Sequence, residues 1–95
     1  MPIQGKYAAM NDMPLQRTAS KAEPYGSWEE TARELIVEKM YRKRVSYKQL
    51  ARRLEKFGID ESADQINRKV NRKKFSAAFL LACLAAMGIK SVRIV

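Results

Sequence analysis

Two serines constrain the fold of this chain, because each is followed three residues later by a glutamine. Ser46 precedes Gln49, and Ser62 precedes Gln65. In such a capping box the serine oxygen accepts a hydrogen bond from a backbone amide of the first helical turn, and the glutamine side chain accepts one from the serine amide. The stretch from residue 45 to residue 75 is therefore predicted to form two short helices joined by a turn.

Each predicted helix has an apolar stripe at helical spacing, which is typical of a helix that packs one face against a core. The stripes consist of Leu50, Ala51, Leu54 and Phe57 in the first helix and of Ala63, Ile66 and Val70 in the second. Gly58 predicts where the first helix stops, since glycine adopts the left-handed conformation that ends many helices.

Two further helices are predicted on either side of this pair. Ser27 and Glu30 form a third capping-box pattern, and apolar residues recur at helical spacing up to Met40. Ser76 precedes a run that is apolar nearly all round, and Gly88 ends it. We expect a small all-α domain of four helices, near 28–43, 47–57, 63–73 and 77–87. Its predicted core comprises Leu35, Ile36, Leu50, Leu54, Ile66, Val70, Leu80 and Leu84.

The two ends of the chain carry weaker signals. Residues 1–26 hold all three prolines and show no sustained helical period, so a disordered tail is expected there, with the helix-turn-helix domain at residues 27–95. The final KSVRIV alternates Val92 and Ile94 with polar residues, a pattern typical of a short β-strand. A lone strand is unstable, so it would pair with another copy; a loosely packed tail is the alternative.

The positive charge is concentrated in the central helices. The net charge is +9, and the stretch from Arg42 to Lys74 has twelve basic and four acidic side chains, a net +8. A basic block of this kind indicates a polyanionic partner, with nucleic acid the leading candidate. A membrane surface is a competing polyanion, and a solvated face with no partner is the third interpretation.

Several function classes lack the residues that they need. There is no histidine and only one cysteine, Cys83, so a structural zinc site lacks a ligand set and an internal disulfide lacks a second cysteine. The sequence also shows no glycine-rich phosphate loop and no obvious pair of inward-facing acids. We expect no enzyme activity, no metal, no cofactor and no small-molecule substrate. The longest apolar stretch, 75–89, is shorter than the ~20 residues that span a bilayer, and no secretory leader is evident, so a cytoplasmic location is expected.

The arrangement from Trp28 to Ile89 resembles the lambda-repressor-like helix-turn-helix superfamily. The resemblance is carried by Val45-Ser46-Tyr47, Leu50-Ala51-x-x-Leu54, Ile66, Arg72 and the helix from Phe79 to Leu84. More narrowly, the Trp28 start, VSYKQLARRL and FSAAFLLACLAAMGI are similar to a family of small bacterial proteins known only as a domain of unknown function. The narrow resemblance implies a helical fold. The broad one implies sequence-specific DNA binding, usually as a dimer.

The chain departs from the superfamily pattern at two places. The turn from Glu55 to Glu61 is longer, and Lys73 stands where a glycine often follows the second helix. Because lysine tolerates the left-handed conformation poorly, we expect Asn71 to cap this helix or the helix to continue to Lys74.

The basic outer faces of the two central helices are the expected contacts to duplex DNA. Arginine can make two hydrogen bonds to guanine and glutamine two to adenine, whereas lysines more often neutralise phosphates. The second of these helices, 62–74, is predicted to enter the major groove. The candidate DNA-binding residues are Ser46, Tyr47, Lys48, Arg52, Ser62, Gln65, Arg68, Lys69, Arg72, Lys73 and Lys74. RNA is the nearest rival ligand, but single-strand readers usually present more exposed aromatic rings.

The last helix suggests a second surface. A helix that is apolar nearly all round exceeds what a domain of this size can bury, so a homodimer interface is expected there. The candidate interface residues are Phe79, Leu81, Cys83, Met87, Val92 and Ile94. The alternative function is a protein-interaction module, such as an adaptor or antitoxin-like partner, that uses the apolar 77–87 helix.

Overall fold

The computed structural model describes residues 24–94 as an all-α domain. Its helices are α1 (Gly26–Lys43), α2 (Tyr47–Glu55), α3 (Ala63–Arg72) and α4 (Ala77–Ala86). The four predicted helices and the fold class are confirmed. The predicted disordered tail lies outside the described residues, apart from its last three positions. Among residues 24–94 there is no strand, and residues 90–94 are irregular, in agreement with the loosely packed tail that was the alternative to a β-strand paired with another copy.

The serine caps predicted at the helix starts are confirmed for α2, α3 and α4 but not for α1. The Gln49 amide donates to Ser46 Oγ at 3.1 Å, and the Ser46 amide donates to Gln49 Oε1 at 2.9 Å. Ser62 and Gln65 form the same box. Ser76 caps α4 through a 3.0 Å bond from the Phe79 amide.

The capping box predicted at Ser27 does not form. α1 begins at Gly26, so Ser27 lies inside the helix, and Tyr25 precedes the helix without a side-chain cap. The Ser27 carbonyl accepts from Thr31 Oγ1 at 3.0 Å. A serine within the first turn cannot supply the cap, because its own amide and carbonyl already follow helical geometry.

The helix ends explain how the chain turns between elements. Gly58 follows α2 with φ +81°, as predicted. Lys73 ends α3 in the left-handed conformation with φ 64°, so the expectation that lysine avoids this position is wrong. Arg44 ends α1 in the same conformation. A seven-residue connection, 56–62, separates α2 from α3.

The core lies where the four helices meet. α2 packs against α3 and α4, and α1 packs against α4 and α3. The buried apolar residues are Ile36, Met40, Val45, Leu50, Leu54, Ile66, Val70, Phe79, Cys83, Leu84 and Met87. Six of the eight predicted core residues are among them. The other two, Leu35 and Leu80, are only partly buried.

Two aromatic residues that follow the predicted apolar stripes are exposed. Phe57 is 53% exposed because α2 ends at Glu55, so Phe57 leaves the helical phase on which the prediction depended. Trp28 is also 53% exposed, since it lies in the first turns of α1, eight residues before the first buried residue, Ile36. Within residues 24–94, no helix is both long and apolar enough to cross a membrane.

Leu54→Ala is expected to lower the free energy of unfolding by about 2–5 kcal/mol, because Leu54 is fully buried and its truncation leaves a cavity between α2 and its neighbours. Urea denaturation followed by circular dichroism measures this loss. Leu81→Ala is the control: Leu81 is 64% exposed, and its truncation should change stability far less. Equal losses for the two variants would contradict the described core.

Candidate nucleic-acid interface

The exposed side of α3 presents two arginines. Arg68 and Arg72 lie one helical turn apart, on the side opposite the buried Ile66 and Val70. Within residues 24–94, no carboxylate lies within ion-pair distance of either guanidinium. The two arginines, with Gln65, also line an open depression of about 340 Å³. Both predicted base-reading arginines are therefore accessible.

The exposed side of α2 presents a second pair of cations. Lys48 and Arg52 are four residues apart and point away from the buried Leu50 and Leu54. Neither has an ion-pair partner in the described part of the chain. The helix starts with Ser46, which is exposed.

Tyr47 is less available than the sequence suggests. Its ring is partly buried against the core, and its hydroxyl accepts a 3.4 Å hydrogen bond from Asn71 Nδ2 of α3. The structure therefore gives Tyr47 a part in joining α2 to α3.

The side-chain amide oxygen of Gln65 already accepts a hydrogen bond. Its Oε1 accepts from the Ser62 amide at 2.8 Å in the capping box. A two-bond contact to adenine needs both the oxygen and the NH₂ group of a glutamine. The predicted base contact and the predicted cap therefore compete for the same oxygen, and the structure has the cap.

Lys69 is held against the domain. Its Nζ forms an ion pair with Glu61 and lies 4.9 Å from the centre of the Phe79 ring. The other carboxylate oxygen of Glu61 is buried and has no hydrogen-bond partner in the described residues. Lys69 was predicted to contact DNA, but Glu61 of the α2–α3 connection directs it inward.

Lys73 and Lys74 contact acids of α1. Lys73 Nζ lies 2.6 Å from Glu30 Oε1, and Lys74 Nζ lies 3.1 Å from Glu29 Oε2. Next to them, Arg33 donates to Asn71 Oδ1 at 3.1 and 3.2 Å. We call this set the α1–α3 clasp; it comprises Glu29, Glu30, Arg33, Asn71, Lys73 and Lys74.

The clasp changes the acidity of one carboxyl. A hydrogen bond from Lys73 holds the pKa of Glu30 below its ordinary value of 4.5. From the sequence, Glu30 was assigned only to a capping box with Ser27. The lysines that pair with Glu29 and Glu30 lie more than forty residues further along the chain. No local sequence pattern predicts such a pairing, so the clasp was not predicted.

Three of the predicted interface residues of α4 point into their own domain. Phe79, Cys83 and Met87 are buried among the core residues of one chain, which corrects their expected exposure to a second copy. Burial also raises the pKa of the Cys83 thiol to about 12. Leu81 and Ile94 are exposed, and Val92 is partly buried. The apolar surface near α4 is therefore narrower than predicted, because the domain itself covers one side of the helix.

A comparison with protein families identifies a match over residues 28–92 to DUF6471, a domain of unknown function. The match spans more than half of the chain, which therefore belongs to this family. No curated protein and no solved structure matches the chain.

Lys73→Met is expected to raise the pKa of Glu30, because the variant removes the ammonium that stabilises the ionised carboxylate. Carboxyl-carbon NMR titration of both proteins measures the change. The linked effect on stability has a defined sign: the contribution of the pair is present above pH 4.5 and is lost as the pH falls through the depressed pKa of Glu30. An unchanged Glu30 titration in Lys73→Met would contradict the described pair.

Proposed function

We propose that this member of a family of unknown function is a DNA-binding protein, a small transcriptional regulator whose α3 enters the major groove of duplex DNA. The observation that carries the proposal is the pair of exposed arginines, Arg68 and Arg72, on the face of α3 opposite its buried stripe. In this proposal α2 and α3 act as a helix-turn-helix with a seven-residue connection. The major groove is wide enough to admit one α-helix.

The two arginines have the chemistry for base recognition. A guanidinium can donate two parallel hydrogen bonds to O6 and N7 of guanine, a pairing worth about 1–3 kcal/mol against a wrong base. Arg68 and Arg72 are one turn apart, so both can face the same groove. An arginine engaged by an acid could not make this contact without losing its partner. Their lack of such a partner within residues 24–94 supports the assignment.

Phosphate contacts are assigned to the remaining cations of the same faces. Lys48 and Arg52 on α2 are exposed and have no acidic partner in the described chain. The positive N-terminus of α3, after Ser62, also favours an anion. Such contacts fix the register of a protein on the duplex and contribute affinity without sequence preference.

A homodimer is the second part of the proposal. The outward side of α4 presents Ala78, Leu81 and Ala85, all exposed and one turn apart. Residues 77–86 contain no charged side chain. Two chains that each carry +9 repel, so an interface between copies is favoured where neither copy contributes charge.

The same observation favours the alternative, a protein-interaction module. An exposed leucine between alanines offers an unrelated protein the same flat apolar face that it offers a second copy. The two functions differ in one respect, since the interaction module requires no affinity for DNA.

Selection from random duplexes is expected to yield a preferred site, and Arg68→Ala is expected to lose about 1–3 kcal/mol on that site while relaxing the preference at one base pair. Fluorescence anisotropy with the selected and a scrambled duplex measures both effects. Lys90→Ala is the matched control. It also removes one exposed positive charge, but Lys90 lies beside Leu81 and Val92 rather than on α3.

Two outcomes would contradict the DNA-binding proposal at different levels. If Arg68→Ala and Lys90→Ala weaken all duplexes alike, the protein is a binder without sequence preference. If no duplex binds at ~50 mM salt, where attraction to phosphates is strong, DNA is not the ligand and the interaction module becomes the leading function.

Leu81→Glu is expected to convert a homodimer into a monomer, because it buries a charge in the uncharged face of α4. Sedimentation velocity at micromolar concentration measures the change. Phe57→Glu is the control, since Phe57 is also an exposed apolar residue but lies after α2. A wild-type protein that sediments as a monomer at all concentrations would exclude this interface.

A further inference from the structure

We propose that the α1–α3 clasp restrains DNA binding by holding Lys73 and Lys74 away from phosphates. The acids of α1 would act as internal competitors: Glu30 occupies Lys73, and Glu29 occupies Lys74. This inference rests on the proposed DNA-binding function and adds a means of regulating the same surface.

The contacts have the chemistry that such competition needs. Glu30 Oε1 lies 2.6 Å from Lys73 Nζ, and both oxygens of Glu29 lie within 3.2 Å of Lys74 Nζ. A carboxylate and a phosphate offer an ammonium the same type of partner, an anionic oxygen acceptor. A lysine engaged with one of them gives up that contact to engage the other.

The clasp is also accessible to a competing polyanion. The side chains of Lys73 and Lys74 are 46% and 63% exposed, and those of Glu30 and Glu29 are 36% and 32% exposed. Ion pairs with this much exposure contribute little to stability, so a polyanion can displace them at low cost. A buried pair would resist exchange.

Lys73 ends α3 with φ 64°, a left-handed conformation that glycine adopts without steric cost and lysine does not. Arg44 ends α1 in the same conformation. At position 73 the ammonium also contacts Glu30.

The clasp divides the basic residues of α3 into two groups. Arg68 and Arg72 are available at once, whereas Lys73 becomes available when Glu30 releases it, and Lys74 loses one of its contacts when Glu29 releases it. Contacts to an arbitrary stretch of phosphates are therefore reduced, while base contacts are not. The consequence is a lower affinity for every duplex than the charge of the chain predicts.

The test compares Glu30→Gln with Glu38→Gln on a random-sequence duplex, using anisotropy across a salt series. Both variants remove one negative charge and two ion pairs from α1, but Glu38 pairs with Arg42 and Lys39 on its own helix, whereas Glu30 pairs with Arg33 and with Lys73. Glu30→Gln is expected to bind about threefold more tightly at ~50 mM salt, with a salt slope steeper by about one, because one more phosphate contact forms. Glu38→Gln is expected to have the wild-type slope.

A second variant separates the lysine from net charge. Lys73→Met is expected to change nonspecific affinity little in the wild-type background, where Glu30 occupies the lysine. In the Glu30→Gln background the same substitution is expected to abolish the gain. Circular dichroism and thermal denaturation of all variants show whether each is folded before affinities are compared.

The outcomes distinguish the two proposals. If the wild type binds duplex DNA and Glu30→Gln behaves like Glu38→Gln, the clasp has no role in binding and only this inference fails. If no variant binds any duplex, the proposed function fails and the inference fails with it.

Discussion

The burial of four side chains, two from α2 and two from α3, is the contact on which the rest of the domain depends. Leu50, Leu54, Ile66 and Val70 are each fully buried, and each pair lies one turn apart on a helix of nine or ten residues. Helices this short are marginal in water, so their stability comes mainly from packing. Each buried side chain contributes about 1.5–3 kcal/mol. Their burial also fixes which way both helices face, and hence which basic residues point outward.

This orientation divides the cations in and directly after α3 into those that contact acids and those that do not. Three lysines in or directly after α3 contact acids from α1 or from the α2–α3 connection. They are Lys69, Lys73 and Lys74. The two arginines of α3, Arg68 and Arg72, have no acidic partner within residues 24–94. This arrangement matches the chemistry of the two residue types: a guanidinium is a rigid, planar donor suited to paired acceptors, whereas an ammonium is a point charge that any nearby oxygen can engage.

Local sequence was sufficient to predict the elements, and it was insufficient wherever distant parts of the chain meet. The serine–glutamine boxes gave correct starts for α2 and α3, and the two glycines placed the ends of α2 and α4 within two residues, because each signal is local. The phase of α4 could not be predicted, since a helix that is apolar all round has no polar side to mark its exterior. For the same reason Phe79, Cys83 and Met87 were predicted at a homodimer interface, although the domain itself buries them. The clasp and the inward position of Lys69 depend on tertiary contacts that no periodicity reveals.

Position 73 couples backbone conformation to charge. Glycine there would relieve a left-handed conformation that costs an ordinary residue roughly 1 kcal/mol, but it would also remove the ammonium that faces Glu30. Alanine would keep the backbone cost and lose the charge as well. Stability of the helix end alone would favour glycine at this site, whereas the proposed restraint of DNA binding would favour lysine. A substitution of Lys73 by glycine would therefore exchange an ion pair between two helices for relief of a strained backbone.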